Sequence, residues 1–102
     1  MASINVSAVN DGDNQILAAP GAGLVIVVYN LVLTGKTTAG TAILKSGATT
    51  HGTFSLGTSG GVSMSGSGRE PLFTCEPNQA LVLNNSAGLD TQGMIVFGVR
   101  NG

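Results

Sequence analysis

The chain is short of charge, of aromatic rings and of the residue types that carry most enzyme chemistry. Charged residues make up 9% of its 102 positions, against about 25% in ordinary soluble domains. Four are basic and five acidic, for a formal net charge of −1. The basic residues Lys36, Lys45, Arg69 and Arg100 are scattered, and the aromatics Tyr29, Phe54, Phe73 and Phe97 are not interleaved with them. That pattern makes no electrostatic footprint for nucleic acid. A surface with so few charges and a net charge near zero has little protection against association, so we read it as a surface taken up largely by partners.

Cysteine and histidine occur once each, as Cys75 and His51, and tryptophan is absent. A single cysteine excludes an internal disulfide, and these two residues fall short of a zinc ligand set. Cys75 and His51 are the residue types of a nucleophile and its base. However, Cys75 alternates with Phe73 in an apolar stretch, as a small buried hydrophobe does. His51 precedes Gly52 near a turn and reads as a solvated or hydrogen-bonded polar residue. Serines are plentiful, yet no Gly-x-Ser-x-Gly elbow between a strand and a helix can be placed.

Gly35-Lys36-Thr37 matches the end of a phosphate-binding loop, but the glycine required five residues before the Gly-Lys pair is Asn30. We read it as a turn. Asp11, Gly12 and Asp13 match part of a calcium loop with no acidic residue to close the coordination, and they too read as a turn. Asn5-Val6-Ser7 and Asn84-Asn85-Ser86 fit the glycosylation pattern, which has meaning only in a secreted chain. The expectation is a non-enzyme with no catalytic residues, no metal and no cofactor.

Long hydrophobic segments are missing as well. The longest run, Leu24 to Leu33, is about half the roughly 20 residues of a spanning helix. A transmembrane barrel strand would have a polar lumen face, and neither face of this run is polar. The start of the chain has no basic segment followed by an apolar one, so no signal peptide is expected and no membrane partner.

What remains is a series of short apolar runs punctuated by Gly, Asn, Asp, Ser and Pro. Strands are expected at Ile4–Val9, Gln15–Ala19, Leu24–Thr34, Thr41–Ser46, Thr50–Leu56, Val62–Ser65, Leu72–Glu76, Ala80–Asn85 and Met94–Arg100. Turns are expected at Asp11-Gly12-Asp13-Asn14 and Pro20-Gly21. Eight or nine short strands at this spacing predict an all-β fold, an antiparallel β-sandwich, jelly-roll or immunoglobulin-like, as one domain over residues 1–102. The Gly- and Ser-rich stretch Gly57–Gly68 is expected to order only where it meets a neighbour.

Because side chains alternate along a strand, Val25, Val27, Tyr29, Leu31 and Leu33 fall on one face and Leu24, Ile26, Val28 and Val32 on the other. Only Asn30 interrupts the second set. Ile4, Val6 and Ala8 alternate with Asn5 and Ser7, as in a strand buried on one side. In Met94 to Val99 both faces are apolar again. A two-layer sandwich gives each sheet one inward face. The set beginning Val25 and Val27 is therefore expected in the core. Leu24, Ile26, Val28, Val32, Met94 and Val96 are expected at an interface with another subunit or a further partner.

The order Pro20-Gly21-Ala22-Gly23 before a long apolar strand, Leu44-Lys45-Ser46-Gly47, Ala80-Leu81-Val82-Leu83-Asn84-Asn85-Ser86 and a closing Gly93-Met94-Ile95-Val96-Phe97-Gly98-Val99 resembles small all-β virion proteins of tailed bacteriophages, of the capsid cement or decoration type. The resemblance spans about residues 15 to 100. It implies a structural protein on the outer capsid surface of the virion, made in the host cytoplasm. It also implies a homotrimer that bridges and stabilises neighbouring major capsid protein subunits, with no catalytic residues. The alternative is a tail or head-fibre component acting as a host-surface glycan-binding module. A glycan site on a β-sandwich favours an exposed aromatic platform, which this composition supplies poorly.

Overall fold

The computed structural model describes residues 2–36, 38–66 and 69–101. Among them are nine strands and no helix: β1 (Ala2–Ala8), β2 (Gly12–Leu17), β3 (Leu24–Gly35), β4 (Gly40–Ser46), β5 (Thr49–Leu56), β6 (Gly61–Ser65), β7 (Phe73–Thr74), β8 (Leu81–Asn85) and β9 (Thr91–Asn101). One sheet has the order β1-β9-β3-β6, with β7 also paired to β3, and the other has the order β2-β8-β4-β5. The antiparallel pairs β4–β5, β3–β6, β2–β8 and β1–β9 are nested like the rungs of a single long hairpin. Successive rungs fall in opposite sheets. That winding is the jelly roll; an immunoglobulin-like sandwich would group its strands as ABED and CFG.

Turn chemistry places most strand ends where the sequence puts them. The exception is Asp11-Gly12-Asp13-Asn14, of which only Asp11 lies outside a strand. Gly12, Asp13 and Asn14 belong to β2, in register with Asn85, Asn84 and Leu83 of β8. The Asn14 side chain closes the short turn instead, donating to the Asn10 carbonyl at 2.9 Å.

The longest strand carries a β-bulge. Pairing of β3 with β9 steps from Val28↔Phe97 to Asn30↔Val96, leaving Tyr29 without a partner. An extra residue reverses the alternation beyond it. Ile26 and Val28 therefore point inward before the bulge, and Leu31 and Leu33 after it. All four enter one core with Val6, Ala8, Ala42, Leu44, Leu56, Cys75, Leu81, Leu83, Leu89 and Ile95. This corrects the two faces expected for an unbroken strand. Val25 and Val27 are buried, at 4% and 0% exposure, but lie on the outer side of the sheet and outside that core. Tyr29 supplies cover there. Its ring lies 3.3 Å from where a Gly98 Cβ would project, and Gly98 is the β9 partner of Val27.

The bulge also divides the edge strand beside it. β6 pairs with Asn30 to Thr34, and β7 continues in the same direction along Val27 and Val28. Between them the chain leaves the sheet. The Gly66 N–H donates to the Tyr29 carbonyl at 2.6 Å, and the Leu72 N–H to the Val28 carbonyl at 2.9 Å. Gly66 N–H also reaches Asn30 Oδ1 at 3.1 Å, which gives the one polar residue of the apolar run its place. Gly61–Ser65 thus orders against β3 of its own chain, contrary to the expectation for Gly57–Gly68. Ser67 and Gly68, with Thr37 of the Gly35-Lys36-Thr37 motif, lie outside the described residues.

Gly93 shows how closely β9 and β3 approach. Its φ is +153°, and a Cβ there would collide with the Val32 carbonyl oxygen. Two buried polar groups join the sheets at the neighbouring end. Asn85 of β8 donates to the Ala8 and Asn10 carbonyls at 2.9 and 3.3 Å, and accepts from Thr91 Oγ1 at 2.7 Å.

Ile26→Ala is expected to cost about 2–5 kcal/mol, the range for emptying a core position, whereas Val32→Ala on the outer face should stay within about 0.5 kcal/mol. Urea unfolding of both variants checks the assignment, and equal losses would contradict the reversal at Tyr29. Asn85→Ala, which leaves Thr91 and two carbonyls without their buried partner, should cost about 1–3 kcal/mol.

Candidate interaction face and buried polar cluster

The residues expected at an interface separate into two groups. Leu24, Ile26 and Val28 share the inward register of β3 before the bulge; Leu24 is half-buried at the strand's start, and the other two are core. Ile26 and Val28 are therefore unavailable to a partner. Val32, Met94 and Val96 come together on the outer side of the β1-β9-β3-β6 sheet, with Val32 directly opposite Met94 and Val96 opposite Asn30. Val32 is 41% exposed and Met94 43%.

The register fills in their surroundings. Beyond Val96, Met94 and Gln92 of β9 lie Ser3, Asn5 and Ser7 of β1. On the other side, Asn30, Val32 and Thr34 of β3 face Ser65, Ser63 and Gly61 of β6. None of these outward positions is charged. The opposite face of the molecule differs: Asp13 of β2 bonds Lys45 of β4 at 2.9 Å and accepts from Asn84 of β8 at 2.8 Å. The Asn84 hydrogen bond, then Lys45, holds the Asp13 carboxyl below its ordinary value.

At the end of the core away from Asn85, four residues from two separate stretches of the sequence converge. Ser46 of β4 is fully buried, and its Oγ lies 2.6 Å from His51 Nε2. It also accepts the Glu76 N–H at 3.0 Å and hydrogen-bonds the Cys75 thiol. His51 occupies the residue left over where β5 slips against β4, between Thr50 and Gly52. There its ring turns inward and stacks on Phe73 of the other sheet at 4.5 Å and 6°. Cys75 and His51 are thus brought into one cluster, with Ser46 between them.

A serine hydroxyl at this distance from an imidazole has the spacing of a nucleophile and base. Yet Ser46 has no exposure and Cys75 only 2%, and the described residues enclose no cleft where a substrate could meet either. Burial, which Glu76 reinforces and the Ser46 hydrogen bond opposes, pushes the Cys75 thiol up to about 11, away from the reactive thiolate. The Ser46–His51 bond lies within one sheet, while the Glu76–Ser46 bond ties β4 to the segment after β7 of the other. Sequence spacing gave no sign of Ser46, because nothing local distinguishes it from the chain's other serines.

Asp11 and Asp13 take separate partners. Asp11 Oδ1 accepts the Gly88 N–H at 2.8 Å, while Asp13 engages Asn84 and Lys45, so the two carboxylates do not converge on one point. Among the described residues no group of three His, Cys, Asp or Glu side chains is placed to hold a metal ion. Gly35 ends β3, and Lys36 lies in the turn that follows, its amide bonded to the Asp90 carbonyl at 3.3 Å.

A scan against protein-family models matches none, and searches of curated proteins and of solved structures return no match.

Burial lowers the His51 pKa from its ordinary 6.5, with Glu76 opposing the shift. The folded state therefore binds fewer protons than the unfolded chain between the lowered value and 6.5. Stability is fully present above about pH 6.5 and is lost as pH falls into that window. The thermal midpoint should drop on acidification from about pH 7 to 5, and His51→Gln, which removes the titration, should flatten that part of the curve. An unchanged slope in His51→Gln would assign the loss to other groups.

Proposed function

We propose that this protein is a structural virion component of the capsid cement or decoration type. In this reading it lies on the outer capsid surface and bridges neighbouring major capsid subunits. The observation that carries it is the uncharged part of the outer face of the β1-β9-β3-β6 sheet that crosses all four strands, with Val32, Met94 and Val96 at its centre and Ser, Asn, Gln and Thr around them; Arg100, opposite Val25, lies beyond it toward the end of β9. Such a face loses little on desolvation, since no ion has to be stripped of water, and its apolar centre gains from burial. The closed core and the inward-turned Ser46, His51 and Cys75 suit a protein whose task is contact.

The face measures on the order of 400 Å², taking four strands about 4.8 Å apart and three outward residues per strand. That is about half of what one partner contributes to a standard interface. A trimer, the stoichiometry that the resemblance implies, would present three such faces at once. Linked binding raises avidity by about 10²–10⁴ without any new contact.

Rebinding of purified protein to particles lacking it tests the reading. Val32→Glu and Met94→Glu should keep the wild-type thermal midpoint and lose particle binding by at least about tenfold. Thr53→Glu, on the other sheet, should bind as wild type does. Wild-type protein that bound no particles would sink the cement reading, and binding to a glycan array in its place would establish the host-surface module.

A further inference from the structure

A sandwich of two open sheets has four edge strands, and exposed edges are templates for pairing with another chain. Three of the four are blunted here. β2 carries a register break between Gln15 and Leu17 and a charged Asp13; β5 carries the slip at His51, followed by Gly52; β6 is five residues long and begins on glycine. β1 has none of these devices. Its seven residues, Ala2 to Ala8, pair with β9 without a break and include no charge, no proline and no glycine.

The sequence of β1, ASINVSA, also reads nearly the same in both directions. About Asn5, Ala2 matches Ala8, Ser3 matches Ser7, and Ile4 matches Val6. Two antiparallel strands related by a two-fold axis place residue i opposite its mirror position. A near-palindrome therefore sets like against like: Ile4 against Val6 on the core side, and Ser3 against Ser7 and Asn5 against Asn5 on the outer side. Ile4 is half-buried, while Val6 and Ala8 are buried, so the pairing would extend the core side of the sheet. An ordinary edge strand has no reason to be self-complementary.

We propose that the free edge of β1 pairs antiparallel with β1 of a second copy of this chain, about a two-fold axis at Asn5. The pairing joins the two β1-β9-β3-β6 sheets into one and continues the uncharged rows of Ser3, Asn5 and Ser7 from one copy into the next. It does not depend on the capsid reading. An isologous contact of this kind adds to any ring contact, so assembly proceeds by doubling: two copies without a ring, six if the ring is a trimer.

Sedimentation velocity at micromolar concentration, with mass from light scattering, tests the inference. Wild-type protein should contain an even number of copies. Asn5 is exposed, so Asn5→Lys and Asn5→Asp should each keep the wild-type circular dichroism and a cooperative thermal transition, its midpoint lowered only by the lost subunit contact. Each alone sets like charges directly opposite, which destabilises a cross-strand pair, and should halve the mass. An equimolar mixture should restore it, because Lys then faces Asp. If either variant misfolds, Ser3→Asp/Ser7→Asp and Ser3→Lys/Ser7→Lys, each repelling its own copy and pairing with the other, probe the same register. Wild-type protein found only as single copies or trimers would overturn the proposal, as would single variants of wild-type mass or a mixture that fails to recover. None of these outcomes bears on whether particles bind the chain, so the two readings stand or fall separately.

Discussion

The unpaired Tyr29 is the constraint on which the rest of this jelly roll depends. β3 is twelve residues long and pairs with β9 along nearly its whole length. Without the extra residue, one face of the strand would present Ile26 and Val28 with Val32, and the other Val25 and Val27 with Leu31 and Leu33. A side-chain period of two makes that unavoidable. The bulge brings Ile26, Val28, Leu31 and Leu33 to a single interior, sends Val32 outward, and frees Tyr29 to cover Gly98 beside Val27. It also marks where the edge strand breaks into β6 and β7.

Burial of aliphatic side chains, at about 1.5–3 kcal/mol each, drives the two sheets together but is non-directional. Direction comes from polar groups at the two ends of the core. At one end Asn85 ties β8 to the end of β1 and to Thr91; at the other Ser46 ties β4 to the backbone beyond β7, with His51 stacked on Phe73. No buried side-chain nitrogen or oxygen among the described residues lacks a partner. Such groups are costly when unmet. A slip of one sheet over the other would leave Asn85, Thr91 and Ser46 unpaired together, so these few contacts select one alignment among many of similar hydrophobic content.

The scarcity of charge takes on meaning once its placement is known. Asp13 and Lys45 pair on the outer side of the β2-β8-β4-β5 sheet, whereas the rows from β1 across β9 and β3 to β6 hold no charge. That part of one broad side of the molecule thus has the character of a contact surface, with Arg100 of β9 beyond it. The plain edge of β1 borders that side.

The amino-acid sequence alone determined the all-β class, the number of strands and most of their limits, because Gly, Asn, Asp and Pro act within a few residues and apolar alternation is local. It also marked β3 and β9 as strands with two apolar faces, and Val32, Met94 and Val96 as outward-facing candidates. Three features belong to the tertiary structure. A bulge is a relation between two strands, so nothing in Val28-Tyr29-Asn30 announces that β9 skips a residue there, and Ile26 and Val28 are assigned to the wrong side by counting alone. The choice of jelly roll over immunoglobulin-like winding depends on which distant strands pair. The Ser46, His51, Cys75 and Glu76 cluster is likewise invisible along the chain, since its members meet only when a bulged edge strand, a central strand and the segment after β7 close over one end of the core.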